Sequence, residues 1–187
     1  MIFHRPDPCR FTVPPPPVGI ERVTSFKLLG VYLASTLSME NHINYVLLLV
    51  NQRLYLINQL RKQGLSAKAR EVVFHSLVIS RLLYALPAFV GFLSGADIAR
   101  FNSVFRKSVR WGIIDRMFDF DELSISSQDQ LFKRFSTNFN HCLHQLLPEL
   151  RNTCYMLRQR GHSFSLPVVS RTLFKKSFVV NYLYSHM

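Results

Sequence analysis

The densest group of acidic side chains lies between residues 115 and 122. Clustered carboxylates can hold divalent ions for nucleotidyl transfer, which is the chemistry they would support here. No second carboxylate group accompanies them in the sequence, and the stretch is flanked by basic segments. We therefore predict a solvated or ion-paired linker loop and expect no catalysis from this chain alone. The four residues are Asp115, Asp119, Asp121 and Glu122.

Histidine and cysteine side chains in the last third of the chain raise a second possibility, a zinc site. Their spacing contains no paired C-x2-C, and neighbours such as His141 and Cys142 project in different directions on a helix. We predict structural or helix-capping roles, and no metal or cofactor, for this set: His141, Cys142, His144, Cys154 and His162. The three cysteines, which include Cys9, show no framework spacing and are expected to be free thiols in a reducing compartment.

Positive charge is the strongest feature of the composition. The 187-residue chain carries a formal net charge of +12, which predicts a polyanionic partner, either nucleic acid or an anionic membrane. Residues 41–114 carry +8 and residues 135–187 carry +5, while residues 115–134 carry −2. Two basic regions therefore flank an acidic joint.

Four cations recur at helical spacing just before residue 112. On a helix they would cover one broad side, while apolar residues such as Phe101 and Phe105 face inward. A solvated helix face is the alternative interpretation of such a pattern. The nearly acid-free surroundings favour contact with phosphates, and on charge alone we predict these nucleic-acid-binding residues: Arg100, Arg106, Lys107 and Arg110.

The elements that would position these cations are mostly helical. Residues 21–33 predict two short strands from their β-branched and aromatic content, with Gly30 at a bulge or close approach. A helix follows from a cap at Ser38, and Gly64 is expected to end it in a left-handed conformation. The predicted fold is mainly α: a helical bundle preceded by a short β-hairpin, with a further helical, basic C-terminal region.

Later helix boundaries follow from capping residues and prolines. Ser66 is expected to cap a second helix that Pro87 kinks or stops, and Ser94 with Asp97 predicts a capping box for a third. After the acidic joint, Ser126 is expected to cap a short helix. Residues 138–147 predict another helical segment stopped by a proline, and the tail predicts a short helix after an extended passage.

An apolar stretch at residues 72–93 is long enough to cross a bilayer. Arg81 near its middle would cost about 2.5–3.5 kcal/mol on insertion scales, so we predict a buried helix instead of a stable membrane span. The first ten residues lack the apolar run of a secretory signal. We therefore expect an intracellular location, cytoplasmic or nuclear.

Residues 20–46, IERVTSFKLLGVYLASTLSMENHINYV, resemble the segment that follows the polymerase palm in reverse transcriptases of jockey-like non-LTR retrotransposons. Further similar segments follow in the family's order and extend the resemblance over nearly the whole chain. They are QRLYLINQLRKQGLS, LVISRLLYALPAF, RKSVRWG, DQLFKRF, NHCLHQLLP and LRQRGHSFSLP.

The resemblance implies three regions with different roles along the chain. Residues 1–37 would hold a residual palm strand, a proline-rich connector and a hairpin like the primer grip, which places the primer end. Residues 38–112 would form a thumb-like three-helix bundle that holds template–primer duplex, and residues 113–187 the acidic joint and basic helical region. The implied primer-grip-like residues are Phe26, Lys27, Leu28, Leu29 and Gly30, of which Lys27 would also bind nucleic acid.

Members of that family carry their catalytic Y-x-D-D carboxylates before this region, and MIFHRPDP resembles the strand shortly after them. The resemblance therefore implies a truncated RNA-directed DNA polymerase that is inactive alone and retains non-specific binding of RNA–DNA hybrid or single strands. Divalent metal is expected only with the missing palm, and the palm and fingers would be a further partner.

A different class of function fits the same composition. A basic, aromatic-rich helical chain can also serve as an interaction module that associates with an anionic membrane or an acidic protein. Composition alone leaves both interpretations open.

Overall fold

The computed structural model describes residues 1–3, 14–151 and 162–186. The fold is mainly α with one two-stranded antiparallel hairpin ahead of the helices, which confirms the predicted class. The elements are β1 (Ser25–Leu28), β2 (Val31–Ala34), α1 (Glu40–Lys62), α2 (Ala67–Phe74), α3 (Ser80–Leu83), α4 (Leu86–Phe89), α5 (Gly95–Arg110), α6 (Phe120–Thr137), α7 (Thr172–Lys175) and α8 (Phe178–Ser185).

The chain divides into two compact units. The first unit comprises Met1–Arg81 and Trp111–Ile114, and the second comprises Leu82–Arg110 and Asp115–Met187. The first unit therefore contains the hairpin, α1 and α2, and the second contains α4 to α8. The functional division at residues 37 and 112 stays a prediction.

The hairpin turns through Leu29 and Gly30, whose φ angles are +46° and +87°. Two consecutive positive φ values are typical of the type I′ turn, whose twist matches that of paired strands. Gly30 tolerates this conformation because it lacks a Cβ. The glycine lies in the turn itself, where the sequence had predicted a bulge or close approach. The turn sets Lys27 of β1 directly opposite Tyr32 of β2.

Helix α1 ends where its sequence predicts, whereas its N-cap differs from the prediction by one residue. Met39, and not the predicted Ser38, is the N-cap residue of α1, and it makes no side-chain capping bond. Ser38 lies two positions before the helix begins, and its Oγ accepts from the Glu40 N–H at 3.3 Å. At the other end, Gly64 has φ +94° and the Leu65 N–H donates to the Leu60 carbonyl at 3.0 Å, which completes a Schellman motif. The left-handed glycine cap is therefore confirmed.

Helix α2 begins after Ser66, whose Oγ accepts from the Ala69 N–H at 3.4 Å, as predicted. It continues through a π-helical turn, His75–Ile79, into α3. The core of the first unit forms where α1 packs against α2 and the π-helical turn. Its fully buried side chains include Ile43, Val50, Leu54, Ile57, Phe74 and Val78.

The predicted interruption at Pro87 is confirmed. Helix α3 ends at Leu83, and Ala85 before α4 has φ +55°. Pro87 lies in the first turn of α4, where a backbone N–H would have no partner within the helix, so its missing N–H costs no hydrogen bond. Within the described residues, one helical stretch, Ala67–Phe92, is long and apolar enough to cross a membrane by length and composition, with a mean hydropathy of 1.6. Of the 18 consecutive residues that are most apolar in this stretch, one third are buried within the fold.

Helix α5 begins with the predicted capping box. The Ser94 N–H donates to Asp97 Oδ2 at 3.1 Å, and the Asp97 N–H donates to Ser94 Oγ at 3.2 Å. The helix buries Phe101, Val104 and Phe105 along one face. This arrangement fixes which side of α5 faces solvent.

Helix α6 begins at Phe120, so the prediction of a linker loop followed by a helix capped at Ser126 is wrong. Asp119 caps the helix, since its Oδ1 accepts from the Asp121 N–H at 3.2 Å. The Phe120 ring stacks on Phe101 of α5, with ring centroids 4.5 Å apart. This stacking anchors the helix start well ahead of Ser126 and places part of the acidic cluster in a first helical turn, where carboxylates are favourable.

The predicted helix over residues 138–147 is also wrong. Only a short 3-10 turn, His144–Leu146, forms there. Asn138 Oδ1 accepts from the Asn140 N–H at 3.0 Å, and this local bond competes with helix formation. The tail does form helices after an extended passage, as predicted, and Tyr182 of α8 stacks on Phe132 of α6 at 4.1 Å.

Candidate nucleic-acid interface

The four predicted cations of α5 lie on one face of that helix. Arg100, Arg106 and Arg110 are exposed, and Lys107 is half-buried. At about 100° per residue, the four positions fall within an arc of about 120°. The structure therefore brings these predicted residues together, next to the buried apolar face of the same helix.

Small side chains separate the cations of this face. Ala96, Ala99 and Ser103 fall within the same arc and are exposed, so the helix backbone can approach a ligand closely. From Arg100 to Arg110 the helix rises about 15 Å. Phosphates of one duplex strand are spaced by about 3.4 Å along the axis, so this length matches about four of them.

One acidic residue of α5 interacts with the cationic face. Asp97 lies 3.5 Å from the Arg100 guanidinium, in an ion pair whose arginine side chain is 43% exposed. Exposed pairs of this kind are worth about 0–1 kcal/mol. The ion pair is therefore weak enough for another anion to displace the carboxylate, and Asp97 partly neutralises the positive charge at this end of the face.

Lys27 is placed by the hairpin in a cluster of aromatic side chains. Its Nζ donates to the Tyr45 hydroxyl at 3.1 Å and lies 4.6 Å from the centroid of the Tyr45 ring. The Tyr32 ring, directly across the hairpin, has its centroid 5.4 Å from the same Nζ. Cation–π attraction to both rings holds the ammonium group at the surface of the first unit.

Arg81 approaches Tyr45 as well. Its guanidinium carbon lies 5.4 Å from the Tyr45 ring centroid, and the Tyr32 and Tyr45 rings meet edge to face at 5.0 Å. We call Lys27, Tyr32, His42, Tyr45 and Arg81 the Tyr45 cluster. The hydrogen bond from Lys27, helped by the charges of Lys27 and Arg81, lowers the pKa of the Tyr45 phenol.

His42 is the buried member of the Tyr45 cluster. Its side chain is 2% exposed, and Nδ1 accepts a long hydrogen bond from the Tyr32 N–H at 3.5 Å. Burial, followed by the charges of Arg81 and Lys27, lowers the pKa of His42 from 6.5 to about 4. The imidazole is therefore neutral at pH 7, and the two flanking cations give the cluster its positive charge.

The five primer-grip-like residues occupy one hairpin. Phe26 is half-buried, Lys27 is exposed, and Leu28 and Leu29 at the tip are 50% and 83% exposed, while Gly30 completes the turn. Lys27 belongs to the first unit, whereas the four cations of α5 belong to the second. The structure thus places the predicted residues in two separate groups.

Sequence reasoning missed most of the Tyr45 cluster. The pairing of Lys27 with Tyr32 follows from the two-residue turn at Leu29 and Gly30, so the nearby sequence could have predicted that contact. Arg81 lies 54 positions beyond Lys27, and nothing in the local pattern connects them.

The residues considered for metal binding have other contacts. In the described part of the chain, no group of three or more His, Cys, Asp or Glu side chains could hold a metal ion. His144 Nδ1 bonds to the Phe135 carbonyl at 2.8 Å, and His162 Nε2 bonds to the Leu183 carbonyl at 2.7 Å. Cys142 is a free, exposed thiol, while Cys9 and Cys154 lie outside the described residues.

The chain was compared with protein families, with characterised proteins and with solved structures, and none of them matches it.

Proposed function

We propose that this chain is a piece of a non-LTR retrotransposon reverse transcriptase from the region after the palm. It lacks the Y-x-D-D carboxylates and retains non-specific binding to the backbone of RNA–DNA hybrid or single strands. The support is the ordered series of sequence similarities, together with a hairpin followed by helices, the order of elements that the resemblance implies.

The observation that carries the binding proposal is the cationic face of α5. Four positive side chains with small residues between them lie along about 15 Å of helix, a length that about four phosphates of one strand also occupy. Such contacts go to the backbone and carry little base information. We therefore expect binding that depends strongly on charge and weakly on sequence.

The Tyr45 cluster is the second proposed contact. Lys27 and Arg81 place positive charge within 4.6 and 5.4 Å of the half-buried Tyr45 ring, and cations beside aromatic rings bind nucleic-acid strands through phosphate attraction and stacking. In the proposed polymerase this hairpin would lie beside the primer, and the palm and fingers would complete the enzyme. This chain alone would not polymerise DNA, and divalent metal would enter only with the palm.

Fluorescence anisotropy tests the proposal with a fluorescein-labelled RNA–DNA hybrid of about 20 base pairs, a matched single strand and a scrambled-sequence hybrid. We expect binding at low salt that weakens steeply as salt rises, with little difference between the two hybrids. Absent binding at low salt, or binding that salt does not change, would contradict it.

A second candidate is favoured by the helical stretch Ala67–Phe92, which has the length and hydropathy of a membrane span. On this alternative the chain is a basic helical module that binds an anionic membrane or an acidic partner. Co-sedimentation with vesicles of phosphatidylserine and phosphatidylcholine, against phosphatidylcholine alone, separates the two. Strong binding to anionic vesicles without affinity for the hybrid would favour the membrane module.

A further inference from the structure

The second unit contains an apolar cavity of about 430 Å³. It lies among α4, α6 and α8, and the segment around the 3-10 turn together with Pro148 and Pro167 completes its described lining. Ser177 is the one polar residue among the described residues that line it. The walls include Ala88, Leu131, Leu143, Phe174, Val180 and Leu183.

The size of the cavity suits a small molecule. It falls within the range of about 300–1,000 Å³ that is typical of ligand pockets. A methylene group fills about the volume of a water molecule, about 30 Å³, so the cavity has room for about a dozen carbon atoms. Leu146 and Phe174 at its edge are 63% and 48% exposed, so the apolar lining reaches solvent.

A polar, basic depression lies beside this cavity and shares helix α7 with it. Phe174 lines the apolar side, while Arg171 and Lys175 line the polar side together with Tyr184. The Tyr184 hydroxyl donates to the carbonyl of Pro167 at 2.9 Å, and Pro167 is itself part of the cavity wall. The two depressions have no described lining residue in common, and they are connected along α7 and through the Tyr184–Pro167 hydrogen bond.

The described residues that line the polar depression include two cations and no Asp or Glu. Residues 162–186 contain three Lys/Arg side chains and no Asp or Glu. Arg171 and Lys175 are exposed, and the Lys175 ammonium lies 5.2 Å from the Tyr184 ring centroid. A ligand with an apolar chain and an anionic head is complementary to this combination, whereas a neutral hydrocarbon would leave the cations unused.

We propose that the second unit binds a free fatty acid of about ten to twelve carbons. The acyl chain lies in the apolar cavity, and the carboxylate is held by Arg171 and Lys175. The volume admits one chain, which distinguishes a free fatty acid from a two-chain phospholipid. This binding is independent of the nucleic-acid contacts proposed above.

Isothermal titration calorimetry with dodecanoate, kept below its micelle concentration, tests the proposal on the full chain. Each buried methylene strengthens binding about fourfold, so octanoate should bind about 200-fold more weakly than dodecanoate. Dodecanol, which has the chain without the charge, should bind at least tenfold more weakly. No heat of binding with dodecanoate, or equal affinity for the three ligands, would overturn the proposal.

Two pairs of variants locate the site. Ala88→Phe fills the cavity from an exposed position and should abolish binding, while Ala67→Phe makes the same change at an exposed position of α2 and should leave dodecanoate binding intact. If both variants lost dodecanoate binding, or if both kept it, the proposed location would be contradicted.

The second pair tests the head-group contact and keeps the proposal testable if Ala88→Phe fails to fold. The exposed double variant R171Q/K175Q should weaken dodecanoate at least tenfold and leave dodecanol unchanged. The control K133Q/R134Q removes the same charge from α6 and should change neither affinity. Equal effects of the two double variants would show that only overall charge matters and would overturn the assignment of the head-group contact.

Discussion

Acidification should destabilise the first unit through His42. Its pKa is about 4 in the folded chain and 6.5 as the ordinary value, so the unfolded chain takes up the proton first as pH falls. The stability of the first unit therefore decreases as pH falls from about 6.5 to about 4, the pH at which His42 also becomes protonated in the folded chain. From these two values the loss is about 2 kcal/mol at pH 5 and about 3 kcal/mol at pH 4.

The assay uses the single tryptophan. Trp111 belongs to the same unit as His42, so its fluorescence during urea unfolding reports the stability of that unit. The comparison variant is His42→Asn, whose side-chain oxygen can still accept from the Tyr32 N–H but does not titrate. Other ionisable groups contribute equally to both proteins, and the difference between them isolates His42.

We expect the free energy of unfolding of the wild type to fall toward that of the variant as pH drops, by about 2 kcal/mol between pH 7.5 and pH 5. A constant difference between the two proteins across this range would refute the reasoning. It would mean that burial and the neighbouring cations do not hold His42 neutral.

Three further predictions concern other parts of the structure. Replacing Asp97 by Ala removes the capping box and should cost about 1 kcal/mol in urea unfolding followed by circular dichroism, yet it should tighten hybrid binding because Arg100 loses its ion pair. Gly64→Ala should destabilise the first unit by about 1 kcal/mol through its positive φ, although the added Cβ meets no atom within 4 Å; tryptophan fluorescence measures this. Lys27→Met should raise the pKa of Tyr45 in an ultraviolet titration and weaken hybrid binding, and an unchanged phenol pKa would argue against the hydrogen bond.

Much of the fold was predictable because its signals are local. The Gly64 cap and the capping box at Ser94 and Asp97 each involve residues only a few positions apart, and both form as predicted. The start of α6 was not predictable in this way, because it depends on the stacking of Phe120 on Phe101, which lies 19 positions earlier.

In the candidate site, too, the features that depend on local sequence were predictable and those that depend on distant contacts were not. The cationic face of α5 follows from helical periodicity, since its spacing alone decides which residues share a side. The Tyr45 cluster requires the hairpin, α1 and Arg81 to meet in space. The lowered pKa of His42 requires its burial, which no pattern in the sequence indicates.

The most direct test of nucleic-acid binding is the salt dependence of hybrid affinity in three proteins. One is the wild type, one is R100Q/R106Q/K107Q/R110Q, and the control is K62Q/K68Q/K133Q/R134Q, which lowers the net charge equally at exposed positions outside α5. At about −0.9 per phosphate neutralised, four contacts on α5 contribute about −3.6 to the log–log slope. We expect the log–log slope of the α5 variant to be shallower than that of the wild type by about 3, and the slope of the control to be shallower by less than 1. Equal losses in the two variants, or a wild type without salt dependence, would contradict a phosphate-binding face on α5.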